Sequence, residues 1–315
     1  MKRILITGAL GQIGTELAHY LAKEYGKENI IATDVSEANR DALGDFQFDK
    51  LDVTDGERYN ELVEKNKVDM IVHLAAILSA RGESMPQTTW KVNMGGLYNA
   101  LEVARNTGAS IFTPSSIAVY GKDFPLDKTP QNTVMLPSTM YGVTKVSGEI
   151  LSDYYHQKFG VDARGVRYPG IISHLTLPGQ GTTDYAVHIY YDAVKKNQYT
   201  SYIAKDTYMD MIYMDDALRA IVELMEADPD KLVHRNAFNI TSMSLEPEMI
   251  GDAIRKHYPD FKLDYDIDPV RQAIAESWPN SLDDTCAREE WGWKAEYDLP
   301  RMTEVMLEAL EKKLK

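Results

Sequence analysis

The stretch TGALGQIG, residues 7–14, decides how the rest of this sequence is interpreted. It follows a short apolar run and opens an amphipathic pattern, so it joins a buried strand to a helix. Its three glycines, Gly8, Gly11 and Gly14, are spaced three residues apart. Residues without a Cβ allow a tight turn whose backbone can approach a pyrophosphate, and the helix that follows offers free N–H groups to the phosphates. The stretch therefore predicts a dinucleotide-binding site, although a glycine turn that binds no ligand could have the same sequence.

An acidic residue strengthens this interpretation. Asp34 ends the second predicted strand, twenty residues after Gly14, where a carboxylate would bind ribose hydroxyls and repel a 2′-phosphate. This favours NAD over NADP. The small residues of HLAA, 73–76, would leave room for a ribose and nicotinamide, but could equally be core packing. The predicted cofactor contacts are Gly8, Gly11, Gln12, Ile13, Gly14, Asp34, Asp52, Val53, Leu74, Ala75, Ala76, Tyr141, Lys145 and Tyr168.

The alternation of short apolar runs and helical patterns predicts the fold class. Strand and helix signals alternate up to Pro169, which is typical of a parallel sheet covered on both faces. We expect an α/β protein with a doubly wound Rossmann sheet and a smaller, mostly helical C-terminal substrate domain. The expected NAD-binding domain spans 1–170, with 212–241 rejoining it. The expected substrate-binding domain comprises 171–211 and 242–315.

Composition excludes several classes of protein. A formal net charge of −14 over 315 residues argues against a nucleic-acid partner and against an anionic membrane surface. No apolar run approaches the length of about eighteen residues that a membrane span needs. The single cysteine, Cys286, excludes an intrachain disulfide and fits a reducing compartment, so we predict a cytoplasmic protein. The seven histidines show no metal-ligand spacing, so no metal site is predicted.

The segment 139–160, TMYGVTKVSGEILSDYYHQKFG, predicts a helix with Tyr141 and Lys145 one turn apart. On an arbitrary helix such a pair is usually a pair of surface neighbours. Beside a bound nicotinamide, a cation near the phenol would favour the phenolate, and Tyr141 would then act as a general base. Ser116 in PSSIAVYG would hold the substrate oxygen, although taken alone it is a strand-end hydroxyl that caps a turn.

These motifs together resemble the extended short-chain dehydrogenase/reductase family, the NAD-dependent epimerases and dehydratases. The resemblance implies Ser116, Tyr141 and Lys145 as catalytic residues. Asn93, in VNMGG, matches less firmly a helix asparagine that organises the proton path in that family. The resemblance continues through YMDMIYMDDALRA and DDTCAREEWGW, and so covers nearly the whole chain.

Within this family the sequence favours one branch. Sugar-nucleotide epimerases and dehydratases usually carry an arginine where this chain has Met209, and no diphosphate clamp is evident. The segments YPGIIS, PGQGTTDYAVHIYYDAVKK and VRQAIAESWP resemble the short-chain type of L-threonine 3-dehydrogenase. That resemblance implies NAD-dependent oxidation of the β-hydroxyl of L-threonine to 2-amino-3-oxobutyrate. The alternatives are a sugar-nucleotide epimerase or dehydratase and, from a different class, a non-catalytic NAD-sensing regulator.

The same resemblance suggests where the substrate would bind. In GTTDYAV the residues before the apolar stripe form a helix N-cap, whose N–H groups and hydroxyls also suit a carboxylate, while Asp184 would pair with an ammonium. Trp278 would close the pocket. The predicted substrate contacts are Ser79, Ser116, Tyr141, Gly181, Thr182, Thr183, Asp184 and Trp278. The segments 86–108 and 139–160 resemble the paired helices through which this family dimerises, so we expect a homodimer.

Overall fold

The computed structural model describes residues 2–121, 123–178 and 181–314. Its strands are β1 Ile4–Thr7, β2 Ile30–Asp34, β3 Gln47–Lys50, β4 Met70–His73, β5 Ser110–Phe112, β6 Ser115–Ser116, β7 Ala163–Arg164, β8 Val166–Tyr168, β9 Gly170–Ile172, β10 Gln198–Ser201, β11 Met209–Tyr213, β12 Phe238–Asn239, β13 Met243–Leu245 and β14 Lys262–Tyr265. Its helices are α1 Gln12–Tyr25, α2 Gly56–Asn66, α3 Ser79–Ser84, α4 Pro86–Trp90, α5 Gly96–Thr107, α6 Met140–Phe159, α7 Tyr185–Lys196, α8 Met214–Glu226, α9 Pro247–Arg255, α10 Pro269–Ala275, α11 Thr285–Trp291 and α12 Leu299–Leu314.

A six-stranded parallel sheet has the strand order β3-β2-β1-β4-β5-β7. Strand β1 is buried along its whole length because both faces of the sheet are covered. Its alternate side chains enter two different apolar clusters, Ile4 and Ile6 on one face and Leu5 on the other. The strand order reverses between β1 and β4, which is where doubly wound sheets bind dinucleotides. The predicted fold class is confirmed.

Helix α6 places the Tyr141 segment close to the ends of the strands. The hydroxyl of Thr139 accepts the backbone N–H of Gly142 at 3.1 Å and so caps the start of the helix. The segment 86–108, expected to be one of two paired helices, is not one continuous α-helix. The structure has α4, a π-helical turn at Lys91–Gly95 and then α5. Such turns carry an extra residue and occur often at functional sites.

The second half of the chain adds three smaller sheets. Strand β11 pairs with β9 and β13, β8 pairs with β6 and β12, and β10 pairs with β14. Leu218 and Ile221 of α8 lie in the same apolar cluster as Ile4 and Leu17, so 212–241 packs beside the central sheet without adding a strand to it. A third apolar cluster comes mostly from 172–213 and 243–310.

Within the described residues, no helix has the length and apolar character needed to cross a membrane. The cytoplasmic location stays a prediction.

Candidate active site

One cavity of about 530 Å³ is lined by every residue that the sequence predicted to bind cofactor, to catalyse or to bind substrate. It lies at the carboxyl ends of the central strands. Its lining includes the glycine turn after β1, the first turns of α6 and the 181–184 turn before α7. Residues that are far apart in sequence therefore meet, as the hypothesis required. Their individual roles stay predictions.

The glycine turn is built for close backbone approach. Gly8 has a φ of +68°, and a Cβ there would lie 2.9 Å from the backbone nitrogen of Ala75. A Cβ on Gly14 would lie 2.3 Å from the carbonyl oxygen of Gly8, so Gly14 is what lets α1 start directly against the turn. No side chain caps the N-terminus of α1, and its first turn carries no acid. This N-terminus suits the phosphates of a dinucleotide.

Asp34 is oriented by the same turn. One of its carboxylate oxygens accepts the backbone N–H of Leu10 at 3.1 Å, and the other accepts that of Ser36 at 3.2 Å. A carboxylate has about four acceptor positions, so these two bonds leave capacity for ribose hydroxyls. Asp52, also in the lining, accepts the N–H and the hydroxyl of Thr54 at 2.9 and 2.8 Å.

The three predicted catalytic side chains lie together. The Nζ atom of Lys145 is 5.4 Å from the centre of the Tyr141 ring and donates to the carbonyl of Pro114 at 2.6 Å. Ser116 forms a hydrogen bond with Tyr141 that favours the phenolate. The Ser116 hydroxyl also accepts the N–H of Ala118 at 3.2 Å, so the turn cap and the proposed role coexist.

The protein groups alone hold Tyr141 in its protonated form. Burial raises the pKa of Tyr141 to about 12, against the lowering effect of the Ser116 hydrogen bond. Burial lowers the pKa of Lys145 to about 8, with Glu149 opposing the shift. The expected phenolate therefore requires additional positive charge, and the ring of oxidised NAD carries such a charge.

The turn at 181–184 caps its helix in a different way from the prediction. The Asp184 carboxylate accepts the backbone N–H of Gly181, three residues earlier in the chain, at 2.6 Å. Residues Thr182–Asp184 form a short 3₁₀ turn that continues into α7. Asp184 and Trp278 are 7% and 8% exposed, and both line the cavity.

The structure adds residues that the sequence analysis did not single out. Arg81 lines the same cavity. Glu149 and Arg167 form a buried ion pair directly beyond Lys145. Helical spacing could have identified Glu149, since it follows Lys145 by four residues. Arg167 comes from a strand, and nothing local in the sequence links it to α6.

Asn93 fastens the loop after β4 to helix α6. Its side-chain oxygen accepts the N–H of Ile77 at 2.8 Å. Its amide nitrogen donates to the Ile77 carbonyl and to the Thr144 hydroxyl, both at 3.1 Å. The π-helical turn that contains Asn93 aims this side chain at the site.

Three potential metal ligands that the sequence did not connect lie outside the cavity. The ligand atoms of His234, Cys286 and Glu290 are within 4.8 Å of one another. The Nδ1 atom of His234 is 2.6 Å from a Glu290 oxygen, and its Nε2 atom is 3.2 Å from the Asn132 amide. Both ring nitrogens of His234 are thus engaged by protein side chains.

Comparisons with known proteins agree with this geometry. Residues 4–241 match the NAD dependent epimerase/dehydratase family. An uncharacterized epimerase/dehydratase of Staphylococcus saprophyticus is 58% identical over 316 residues, covering 100% of this chain and 99% of that protein. The crystal structure of an L-threonine dehydrogenase from Clostridium difficile superposes with a TM-score of 0.97 at 58% identity, over 99% of this chain and 98% of the other.

A monomeric L-threonine 3-dehydrogenase from a metagenome has a TM-score of 0.95 at 45% identity, over 99% of this chain and 100% of the other. The expectations of an NAD-dependent dehydrogenase and of NAD as cofactor are confirmed at the level of these relatives. The chain belongs to the NAD-dependent epimerase/dehydratase family.

Proposed function

We propose that this protein oxidises the β-hydroxyl of L-threonine to 2-amino-3-oxobutyrate, with Tyr141 as general base. Bound NAD would accept the hydride that leaves the β-carbon. Tyr141 takes the proton of the β-hydroxyl, Ser116 holds the hydroxyl oxygen, and the ammonium of Lys145 favours the phenolate. The proton and the hydride together account for the two hydrogens that the alcohol loses.

The observation that carries this proposal is the shared cavity. Tyr141 and Ser116 line it together with the 181–184 turn and Trp278. A substrate whose hydroxyl reaches Tyr141 therefore meets a helix N-terminus that suits its carboxylate and an acid, Asp184, that suits its ammonium. The activity of the structural relatives named above supports the same substrate.

A sugar-nucleotide substrate receives less support. Met209, at the position where such enzymes usually carry arginine, is fully buried in β11. It offers no charge to a diphosphate.

The test measures NADH absorbance with a panel of hydroxy amino acids and, separately, UDP-sugars. We expect net NADH formation with L-threonine and none with UDP-sugars. Conversion of a UDP-sugar without net NADH would instead indicate an epimerase or dehydratase. Binding of NAD with no turnover of either class would indicate the regulator.

We also propose a homodimer and the two-part domain division predicted from the sequence. The exposed apolar side chains Trp90, Tyr98, Ile150 and Tyr154 support the dimer, because they lie on the two predicted interface segments. The monomeric relative makes the oligomeric state a matter for direct measurement.

The apolar cluster in the second half of the chain supports the domain division, with 171–211 and 242–315 as the substrate-binding part.

A further inference from the structure

A second cavity, of about 30 Å³, shares Lys145 with the large one. Its volume suits about one water molecule, which needs two to four polar partners. The polar side chains around it belong to His73, Thr113, Ser115, Asn93, Thr144, Lys145, Glu149 and Asn236. Among the described residues, the buried Nε2 atom of His73 has no hydrogen-bond partner. The catalytic lysine therefore faces a small polar chamber as well as the substrate.

Glu149 is the acid of this chamber. It follows Lys145 by one helical turn and is 6% exposed. Its two oxygens accept from the Nε and a terminal nitrogen of Arg167 at 3.0 and 2.8 Å. The hydroxyl of Ser115 donates to it as well. A two-pronged bond of this kind fixes the carboxylate in place.

We propose that Glu149 is a positioning residue for the dehydrogenase reaction: its carboxylate, held by Arg167, faces Lys145 across the small cavity and keeps that lysine protonated while Tyr141 acts as base. This inference rests on the proposed function for its catalytic consequence. The electrostatic relation between Glu149 and Lys145 can be measured without any substrate.

Among the charged and titratable groups around Lys145, Glu149 is the acid that favours its protonated form. On α6 these groups are Tyr141 and Glu149, and on β4 the group is His73. Burial holds the pKa of His73 at about 3, so its ring is neutral at working pH. Arg167 is paired with Glu149 at 2.8 Å.

The sign of the effect follows from burial. Removal from water disfavours the ammonium and lowers the pKa of Lys145 to about 8, while Glu149 acts in the opposite direction. Without the carboxylate, Lys145 would lose its proton at a lower pH. Tyr141 would then lose the neighbouring cation that favours its phenolate, so the alkaline limit of activity would move to lower pH.

The experiment measures the pKa of Lys145 directly, by competitive acylation with acetic anhydride over a pH series and mass spectrometry of the Lys145 peptide. We expect E149Q to titrate about one pH unit below the wild type and E149D to titrate close to it. The alkaline limb of kcat for L-threonine should move down by the same amount in E149Q. Equal titration of Lys145 in wild type and E149Q would overturn the proposal.

Three arrangements keep this test decisive. R167M disturbs the same ion pair but leaves the carboxylate of Glu149, so Lys145 in this variant should titrate at the wild-type pH or above. If the role of Glu149 were merely structural, Lys145 would titrate alike in R167M and E149Q. If circular dichroism shows that E149Q does not fold, E149Q/R167M replaces it, because that variant leaves no unpaired charge in the core. A wild-type Lys145 that is uncharged at pH 7 would overturn the proposal without any variant.

The experiment distinguishes a failure of the proposed function from a failure of the Glu149 proposal. If wild-type protein forms no NADH from L-threonine but Lys145 shifts as expected in E149Q, the substrate assignment is wrong and the Glu149 relation stands.

Discussion

The two ends of the large cavity are built in different ways. The proposed cofactor end centres on one short continuous segment, the glycine turn with its flanking strand and helix, and later strand ends complete it with Asp34, Asp52 and Ala75. The substrate end gathers Ser79, Ser116, Tyr141, the 181–184 turn and Trp278 from across two hundred residues. The first uses mostly backbone groups, whereas the second uses side chains.

Because of this difference, substitutions should affect the two ends unequally. Backbone contacts depend on glycines that tolerate no Cβ, so the cofactor end is set by steric exclusion. Side-chain contacts depend on single charges and hydroxyls that substitution can remove without disturbing the fold. Substitutions at the substrate end should therefore change the chemistry while leaving cofactor binding intact, and the predictions test that separation.

Tyr141→Phe should have the largest effect. It removes only the ionisable oxygen, so kcat should fall by ~10²- to 10⁴-fold, while NAD affinity, measured by calorimetry, should change far less because the other predicted cofactor contacts remain. Tyr208→Phe is the matched control, because it makes the same change on an exposed side chain outside the cavity and outside both proposed interface segments. Activity of Tyr141→Phe within a few-fold of the parent would remove Tyr141 from the role of base.

Asp34 should make the protein prefer NAD over NADP by ~10²- to 10³-fold in kcat/KM, since a 2′-phosphate loses charge-assisted hydrogen bonds and meets a carboxylate. Asp34→Asn removes the charge and leaves one acceptor oxygen, so it keeps only one of the bonds from the Leu10 and Ser36 N–H groups. This variant should show a smaller preference for NAD over NADP. Asp41→Asn, outside the cavity, serves as control. Equal efficiency of the wild type with both cofactors would contradict the assigned role.

Asp184→Asn tests the substrate end. An amide oxygen still accepts the Gly181 N–H, so stability should change little, while loss of the charge should lower kcat/KM for L-threonine by about ten- to a few hundredfold. NAD affinity should barely change. Asp55→Asn makes the same change at the N-cap of α2, outside the cavity, and should leave threonine kinetics alone. A variant that unfolds easily but keeps its kinetics would show that Asp184 is only structural.

The smallest effect on turnover should come from the proposed dimer surface. We expect light scattering to report about twice the 35.6 kDa of one chain at micromolar concentration. Ile150→Glu, on an exposed face of α6, should give a monomer that keeps threonine turnover within a few-fold. Tyr208→Glu changes an exposed apolar residue outside both helical segments and should stay dimeric. A wild-type protein that runs as a single 35.6 kDa species would refute the dimer.

The central sheet and many of the residues that line the cavity could be predicted from the sequence, although Arg81 could not. The glycine spacing, the strand-end Asp34 and the Tyr141–Lys145 step are local patterns, and local patterns follow from short-range sterics and helical geometry. Periodicity does not report a π-helical turn, so the break at Lys91–Gly95 within a predicted helix could not be seen.

The surroundings of those residues depend on how distant parts of the chain pack together. The partnership of Glu149 with Arg167, the link from Asn93 to Ile77 and the orphan nitrogen of His73 arise where separate elements pack together. Burial, which raises the pKa of Tyr141 and lowers that of Lys145, is likewise a property of packing. A sequence states which groups can ionise, but their charge depends on how much water and which neighbours the fold leaves beside them.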